Sequence, residues 1–496
     1  RRLNFSIAYK GFRSLGKYAF DQSESGNFRT TANYVTKNGR YSIRAHIAAQ
    51  DIDTEENGGL SNREQFEADE EGDFRDRSRI DVKFTDANNR VLGKRYFFDH
   101  KYKLLRSRRD STKTEATSLS LGHAFNYETK IYEYTQTAEN VFFGNAFLGE
   151  IDDKARLKTM FNEFNVEFYN HVLGKLQGNI SLYNYNYFFN SILTTETQRI
   201  DNKLQGEEIA IGARYEKQIG DFLIEGDMKY TLVGDLTANI LDASASYQFN
   251  ENNTVRASIH SSSRLPDFNF LLYQSEYENY NWQNNATFEN QRASSLQFDL
   301  NSRFWGNLTA KYTTVDNYTY FGFDTNIPTE EGEVLGNIRP FQEGNSINYI
   351  KVKYNKEFKV GGFALNNTVM YQNVSQTNQV LNVPQLVTRN TLYFSSDVFK
   401  KAMYIQTGVT FKYFTTYTMD GYNPLLGEFY IQNDEELGGY PLLDFFINAR
   451  VKQTRIYLKA EHFNSSFDGS YDFYAAPDYP YRDFVIRFGL VWNFFS

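Results

Sequence analysis

Hydrophobic and polar positions alternate along almost the whole chain. Leu3, Phe5, Ile7 and Tyr9 interleave with Asn4, Ser6, Ala8 and Lys10, and Tyr41, Ile43, Ala45, Ile47 and Ala49 with Ser42, Arg44, His46 and Gln50. At the far end Phe484, Ile486, Phe488, Leu490, Trp492 and Phe494 interleave with Arg487, Gly489 and Asn493. A period of two places successive side chains on opposite faces of a strand, so each segment has one apolar and one polar face. The pattern predicts strands over 2–12, 26–36, 40–51, 91–106, 117–129, 158–172, 177–190, 204–217, 220–232, 238–249, 253–263, 292–303, 306–320, 345–358, 361–374, 388–399, 402–415, 442–453, 454–465 and 482–495. Every second connector is short, with tight turns at Lys37-Asn38-Gly39, Gly174-Lys175, Gln218-Ile219-Gly220, Asn250 to Asn253, Trp305-Gly306, Val360-Gly361-Gly362, Lys400-Lys401 and Gln453-Thr454. Asn38-Gly39 is a strong hairpin signal. Long connectors lie between the short ones, the first from about Asp51 to Asn89.

Composition narrows the fold. Phe (44) and Tyr (37) dominate the aromatic fraction of 17%, yet mean hydropathy is −0.59. No window approaches the ~20 apolar residues of a membrane helix. A transmembrane barrel needs only every second residue to face lipid, and short turns alternating with long loops are its signature. The expected fold is therefore all-β, an antiparallel up-and-down transmembrane β-barrel of about 20 strands (18–22), with short periplasmic turns and long extracellular loops. It forms a single domain over 1–496, without a visible plug domain. A propeller or β-helix would need a repeat of fixed length, and none is found. The first residue is Arg1, inside a strand, so upstream sequence is expected to have been removed. The chain has no Cys, and its net charge of −8 disfavours a nucleic-acid partner.

The terminal Phe494-Phe495-Ser496 resembles the signal strand of bacterial outer-membrane barrels, which their assembly machinery reads. That resemblance marks Phe488, Trp492, Phe494 and Phe495 as a candidate assembly signal. The stretches LNFSIAYKGFRSLGKY at 3–18, QDIDTEENGGL at 50–60, IDVKFTDANNRVLGKRYFFDHKY at 80–102 and YPLLDFFINARVKQTRIYLKAEHFN at 440–464 together resemble the putative porin family of Bacteroidota outer membranes. The resemblance implies an integral protein of a Gram-negative outer membrane, in contact with lipid and lipopolysaccharide and inserted by the barrel assembly machinery. Passive diffusion of small hydrophilic solutes is its expected function, with a lumen narrowed by an inward loop at 129–157 or 263–291. Two alternatives remain: the barrel of a TonB-dependent transporter without its plug, or a non-conducting scaffold with protein partners in an outer-membrane assembly or secretion complex.

Candidate chemistry is sparse. His46, His100, His123, His171, His260 and His462 are scattered singly, and there is no HExxH, P-loop or dinucleotide fingerprint. No enzyme, cofactor or metal is expected. His260 to Arg264 (HSSSR) is the one place where a Ser/His constellation could form, and a polar loop entrance is the simpler reading. The acidic run from Asp51 to Arg79 lacks EF-hand spacing and reads as a solvated loop. Assigning the apolar parity to lipid makes Lys351, Lys353, Lys412, Asp444, Arg450, Lys452, Arg455, Lys459, Glu461 and Arg487 candidate lumen-lining residues. Glu163, Glu167, Glu208, Glu225, Asp227, Asp242 and Asp299 would make the remaining wall acidic. These charges either set a transverse field or pair along the wall.

Overall fold

A computed structural model describes residues 2–67, 74–106, 117–194, 199–328, 331–467 and 473–492. Twenty strands form one antiparallel sheet. They are β1 Leu3–Ser14, β2 Ser23–Val35, β3 Tyr41–Glu56, β4 Ala87–Arg106, β5 Ser118–Gln136, β6 Ile151–Asn170, β7 Gly174–Phe188, β8 Lys203–Ile219, β9 Phe222–Val233 and β10 Ala238–Asn250. The second half comprises β11 Asn253–Arg264, β12 Gln291–Ser302, β13 Gly306–Asp316, β14 Ile347–Val360, β15 Phe363–Ser375, β16 Leu386–Val398, β17 Met403–Phe414, β18 Leu442–Val451, β19 Thr454–Glu461 and β20 Val485–Trp492. Each strand pairs with the next in sequence, an up-and-down meander.

All twenty expected strands are present, and short and long connections alternate as expected. The largest shifts occur where β5 runs on to Gln136 and β6 begins at Ile151, because their ends carry Tyr134 and Ile151 into a buried core above the sheet. The strand β3 likewise continues to Glu56, which shortens the first long connector to 57–86. The expected turn at Gly174-Lys175 sits instead at 171–173, and Gly174, at φ +85°, opens β7. A Cβ there would lie 2.5 Å from the Glu216 carbonyl oxygen, so glycine is required.

Cross-strand partners share a face, so the register divides the side chains of the whole sheet into two sets. One face is apolar and uncovered: Phe5 is 63% exposed, Ile486 63% and Phe488 71%. In water such a surface would be unfavourable by roughly 25 cal/mol per Å². Phe488 and Trp492 lie on it, while Phe494 and Phe495 fall outside the described residues. The other face is polar and cavities open onto it, one of about 550 Å³ bounded by Arg29, His46, Gln50, Arg95 and Glu128 among others.

At one end the two edges of the sheet come within side-chain reach of each other. Lys17, just after β1, lies 3.5 Å from the carboxylate of Asp483, just before β20. Among the described residues β1 pairs only with β2, and β20 only with β19. Two side-chain cores sit at the long-loop end. The larger gathers Phe142, Phe143, Tyr277, Tyr280, Trp282, Phe321, Leu335, Leu425 and Tyr430 from four connectors. The smaller joins Leu60, Phe66 and Ile80 to Tyr440, Phe473 and Tyr474, beside the two edges.

Candidate functional site: the polar face and its cap

The register puts Lys351, Lys353, Lys412, Asp444, Arg450, Arg455, Lys459, Glu461 and Arg487 on the polar face, along β14 and β17 to β20. Lys452 does not join them. It occupies the two-residue turn between β18 and β19 with φ 53°, because β18 stops at Val451. Several of these charges pair with one another. The Asp444 carboxylate accepts from Lys412 at 2.6 Å and lies 3.3 Å from Lys459, and Glu461 holds Lys459 at 2.6 Å and Arg487 at 2.8 Å. The guanidinium of Arg450 lies over the Tyr404 ring, 5.5 Å from its centroid.

The acidic positions of the remaining wall are largely paired too. Arg214 donates to Asp227 at 2.6 Å, Arg256 lies 3.0 Å from Glu225, and Lys101 2.8 Å from Glu167. The adjacent acids Glu216 and Glu225 face each other in register, as do Asp227 and Asp242, and each pair has a cation beside it. The sequence reading missed Lys311 on β13 and Arg389 on β16, which lie on the same face. The parity of their strands carried that signal.

Histidines are less isolated than their spacing implies. His100 and His123, on neighbouring strands, share a hydrogen bond of 3.1 Å on the apolar face, extended to Tyr41 at one end and Asn162 at the other. On the polar face Asp242 lies 2.7 Å from His260 Nδ1, and Ser262 Oγ lies 3.1 Å from Nε2. That is the connectivity of a nucleophilic triad. Ser262, however, sits inside a strand laddered on both sides to β10 and β12, so its neighbouring backbone N–H groups are committed and none is left to form an oxyanion hole.

Over the polar face the loops form a cap. The connector from β17 to β18 sends Pro424-Leu425-Leu426 onto the polar face of β3 to β5, strands far from its own in the chain. Tyr132 on β5 donates to the Leu425 carbonyl at 2.9 Å, Asn89 on β4 to Pro424 at 3.1 Å, and Tyr422 to Glu56 on β3 at 3.1 Å. Leu425 is 0% exposed. Asn423 shapes the tip: its side-chain oxygen accepts from the Leu425 and Leu426 N–H groups, and its amide donates to Tyr280 at 2.8 Å. The expected inward segment 263–291 is part of this cap through Tyr273, Tyr277 and Tyr280. The other, 129–157, is mostly strand and joins the cap through Phe142 and Phe143 in its loop 137–150 and through Tyr132, Tyr134 and Ile151 on the strand ends. The segments 317–346 and 415–441 were not anticipated as cap elements.

A second latch lies over the smaller core. Arg63 grips Glu435 with both terminal nitrogens and Asp478 at 2.6 Å, and Lys83 reaches the same Asp478 at 2.5 Å. Burial alone would raise the Asp478 carboxyl, but Lys83 and Arg63 hold it below the usual carboxylate value. Among the described residues Asp420 has no such cationic partner: burial raises it to about 6, opposed by a hydrogen bond with Asn382. The acidic run expected as one solvated loop is divided. Asp51, Asp53, Glu55 and Glu56 belong to β3, with Asp51 paired to Arg90 at 2.8 Å. Asp69, Glu70, Glu71 and Asp73 lie outside the described residues. Among the described residues no group of three His or carboxylate side chains could hold a metal.

The overall fold is that of solved outer-membrane transport proteins. The iron transporter FrpB of Neisseria meningitidis (F3-3 variant) superposes with a TM-score of 0.64 at 12% identity, covering 99% of this chain and 77% of that one. The siderophore receptor PirA of Acinetobacter baumannii gives 0.61 at 9% identity, covering 99% and 75%, and the ferric yersiniabactin receptor FyuA of Yersinia pestis 0.60 at 10%, covering 94% and 70%. No curated protein sequence matches the chain. Fold and sequence thus define an outer-membrane β-barrel of the transport class. The chain belongs to the putative porin family, whose model matches residues 1–496.

Proposed function

We propose that this protein conducts small hydrophilic solutes across the outer membrane of a Bacteroidota-like bacterium, along the polar face, and that the loop cap gates the passage. The short turns face the periplasm and the capped end faces outward. The observation that carries this reading is the insertion of Pro424-Leu425-Leu426 against Tyr132 and Asn89, above a polar wall containing open cavities. Sheets of about 16–18 strands leave aqueous channels and those of about 22 strands carry plugs, so twenty strands with a loop cap fall between the two. Solutes diffuse passively whenever the tip withdraws.

A second reading, energy-coupled uptake, draws on the likeness to the iron and siderophore proteins. Planar-bilayer recording of the wild type and of a variant with residues 419–431 replaced by a short Gly/Ser linker separates the two. Gated diffusion expects flickering wild-type current and a larger, steady current in the variant. Energy-coupled uptake expects a silent wild type and a conducting variant. Silence in both refutes conduction and leaves the scaffold alternative.

A further inference from the structure

The polar face handles like charges in two different ways. Where two acids are apposed across strands, as in Glu216 with Glu225 and Asp227 with Asp242, a cation sits beside each pair. Lys311 on β13 is directly opposite Lys351 on β14, and Lys353 follows on the same face. Two strands further on, Arg389 is directly opposite Lys412. Lys412 is neutralised by Asp444. Among the described residues no ion pair or side-chain hydrogen bond reaches Lys311, Lys351, Lys353 or Arg389, whereas most neighbouring wall charges are paired. The closest carboxylate in register is Asp299, one step along the wall from Lys311, and its oxygens already accept from Thr309 at 2.7 Å and Gln297 at 2.8 Å.

Like charges directly across a strand pair are unfavourable when nothing lies between them. Adjacent strands are ~4.8 Å apart, so Lys311, Lys351 and Lys353 cluster on β13 and β14, and the long side chain of Arg389, across β15 and one inward position beyond Lys353 in the row of Asn355 and Thr368, borders the same stretch of wall. We propose that Lys311, Lys351, Lys353 and Arg389 form a binding site for multiply charged anions bearing phosphate or clustered carboxylate groups. This deepens the transport reading by naming the solute class, and it rests on that reading for its physiological role. The site lies on β13, β14 and β16, upstream of the Asp444 and Glu461 networks, so the cations expected to act together from the last third of the chain divide into a paired set and a free set. At physiological ionic strength fields decay over ~8 Å, so only the free set within that range attracts a solute.

Binding is measured apart from conduction. Equilibrium dialysis of radiolabelled inorganic pyrophosphate against the detergent-folded full chain is run at low and high salt, for the wild type, for Lys351→Gln/Lys353→Gln, and for Lys400→Gln in a tight turn as control. Heat-modifiable migration confirms folding of each; if the double variant does not fold, Lys311→Gln replaces it. Removing two unit charges near the ligand should weaken binding about tenfold at low salt, more than the control does and less so at high salt. Saturable wild-type binding lost in the double variant supports the site, even if bilayers then show no current, in which case only the transport reading falls. No binding at millimolar pyrophosphate, or equal binding by wild type and double variant, overturns it whatever the conductance.

Discussion

Replacing Phe488 with arginine tests whether the apolar face of the sheet meets lipid. Phe488 lies in the middle of β20 opposite Leu458, flanked on its face by Ile486 and Leu490, and is 71% exposed. An aromatic side chain presents ~200 Å², so ~140 Å² faces outward, and at ~25 cal/mol per Å² its removal from lipid costs at most ~3.5 kcal/mol. Arginine recovers part of that through its aliphatic stem and adds a charge, which agrees with the ~2–4 kcal/mol measured for arginine near the midplane of barrels. The matched control is Gln406→Arg on the polar face, where ~0.5 kcal/mol or less is expected. Gly489 is unsuitable, because a Cβ there would lie 2.3 Å from the Tyr457 ring. Reversible urea unfolding in lipid vesicles, followed by tryptophan fluorescence, gives both values. Equal stability of the two variants would mean that the Phe488 face does not meet lipid.

Other consequences are equally direct. Gly489→Ala must displace Tyr457 and should cost ~1–3 kcal/mol in the same unfolding experiment; a neutral result would show that the ring moves aside freely. Asn423→Ala removes the acceptor of two buried N–H groups and a bond to Tyr280, so the cap should open to limited proteolysis and the mean bilayer current should rise, and unchanged protection would refute its role at the tip. The Asp420 carboxyl titrates near 6, above its unfolded value, so the folded cap binds the proton more tightly and should be more protease-resistant at pH 5 than at pH 7. That difference should vanish in Asp420→Asn, and a cap that tightens as pH rises would contradict the sign. Arg63→Ala leaves Asp478 with Lys83 alone and takes from Glu435 the cation it is paired with, and should loosen loops 57–86 and 415–441 together, read as parallel gains in hydrogen exchange.

The strands and their two faces were legible because alternation along β1 or β20 is a local property, and the sheet multiplies it without changing it. Placing Lys351, Lys459 and Arg487 on one face needed only parity. Deciding that Lys459 is neutralised while Lys353 is not required the register, since Asp444 reaches Lys459 and Lys412 from a neighbouring strand. The same dependence hid the contact between His100 and His123. The cap was not legible at all, because Phe143, Tyr280, Leu335 and Leu425 come from four connectors with no common period, and each looks like an ordinary loop residue in isolation. Lys452 was misplaced for a simpler reason: parity continues through a turn on paper, while the backbone leaves the sheet.

The cap core also constrains the order in which the molecule matures. Its members are drawn from residues 84 to 430, so it cannot close completely until β4 through β17 stand in place. Contacts of such long sequence separation form late, after loop closure has been paid for by the strands themselves. Until then Trp282, Tyr280 and Phe143 remain uncovered on a nascent surface, visible to proteases and chaperones. Acquisition of cap protection therefore serves as a kinetic clock for the maturing molecule: whatever delays the last strands lengthens the vulnerable interval without any change in the finished product.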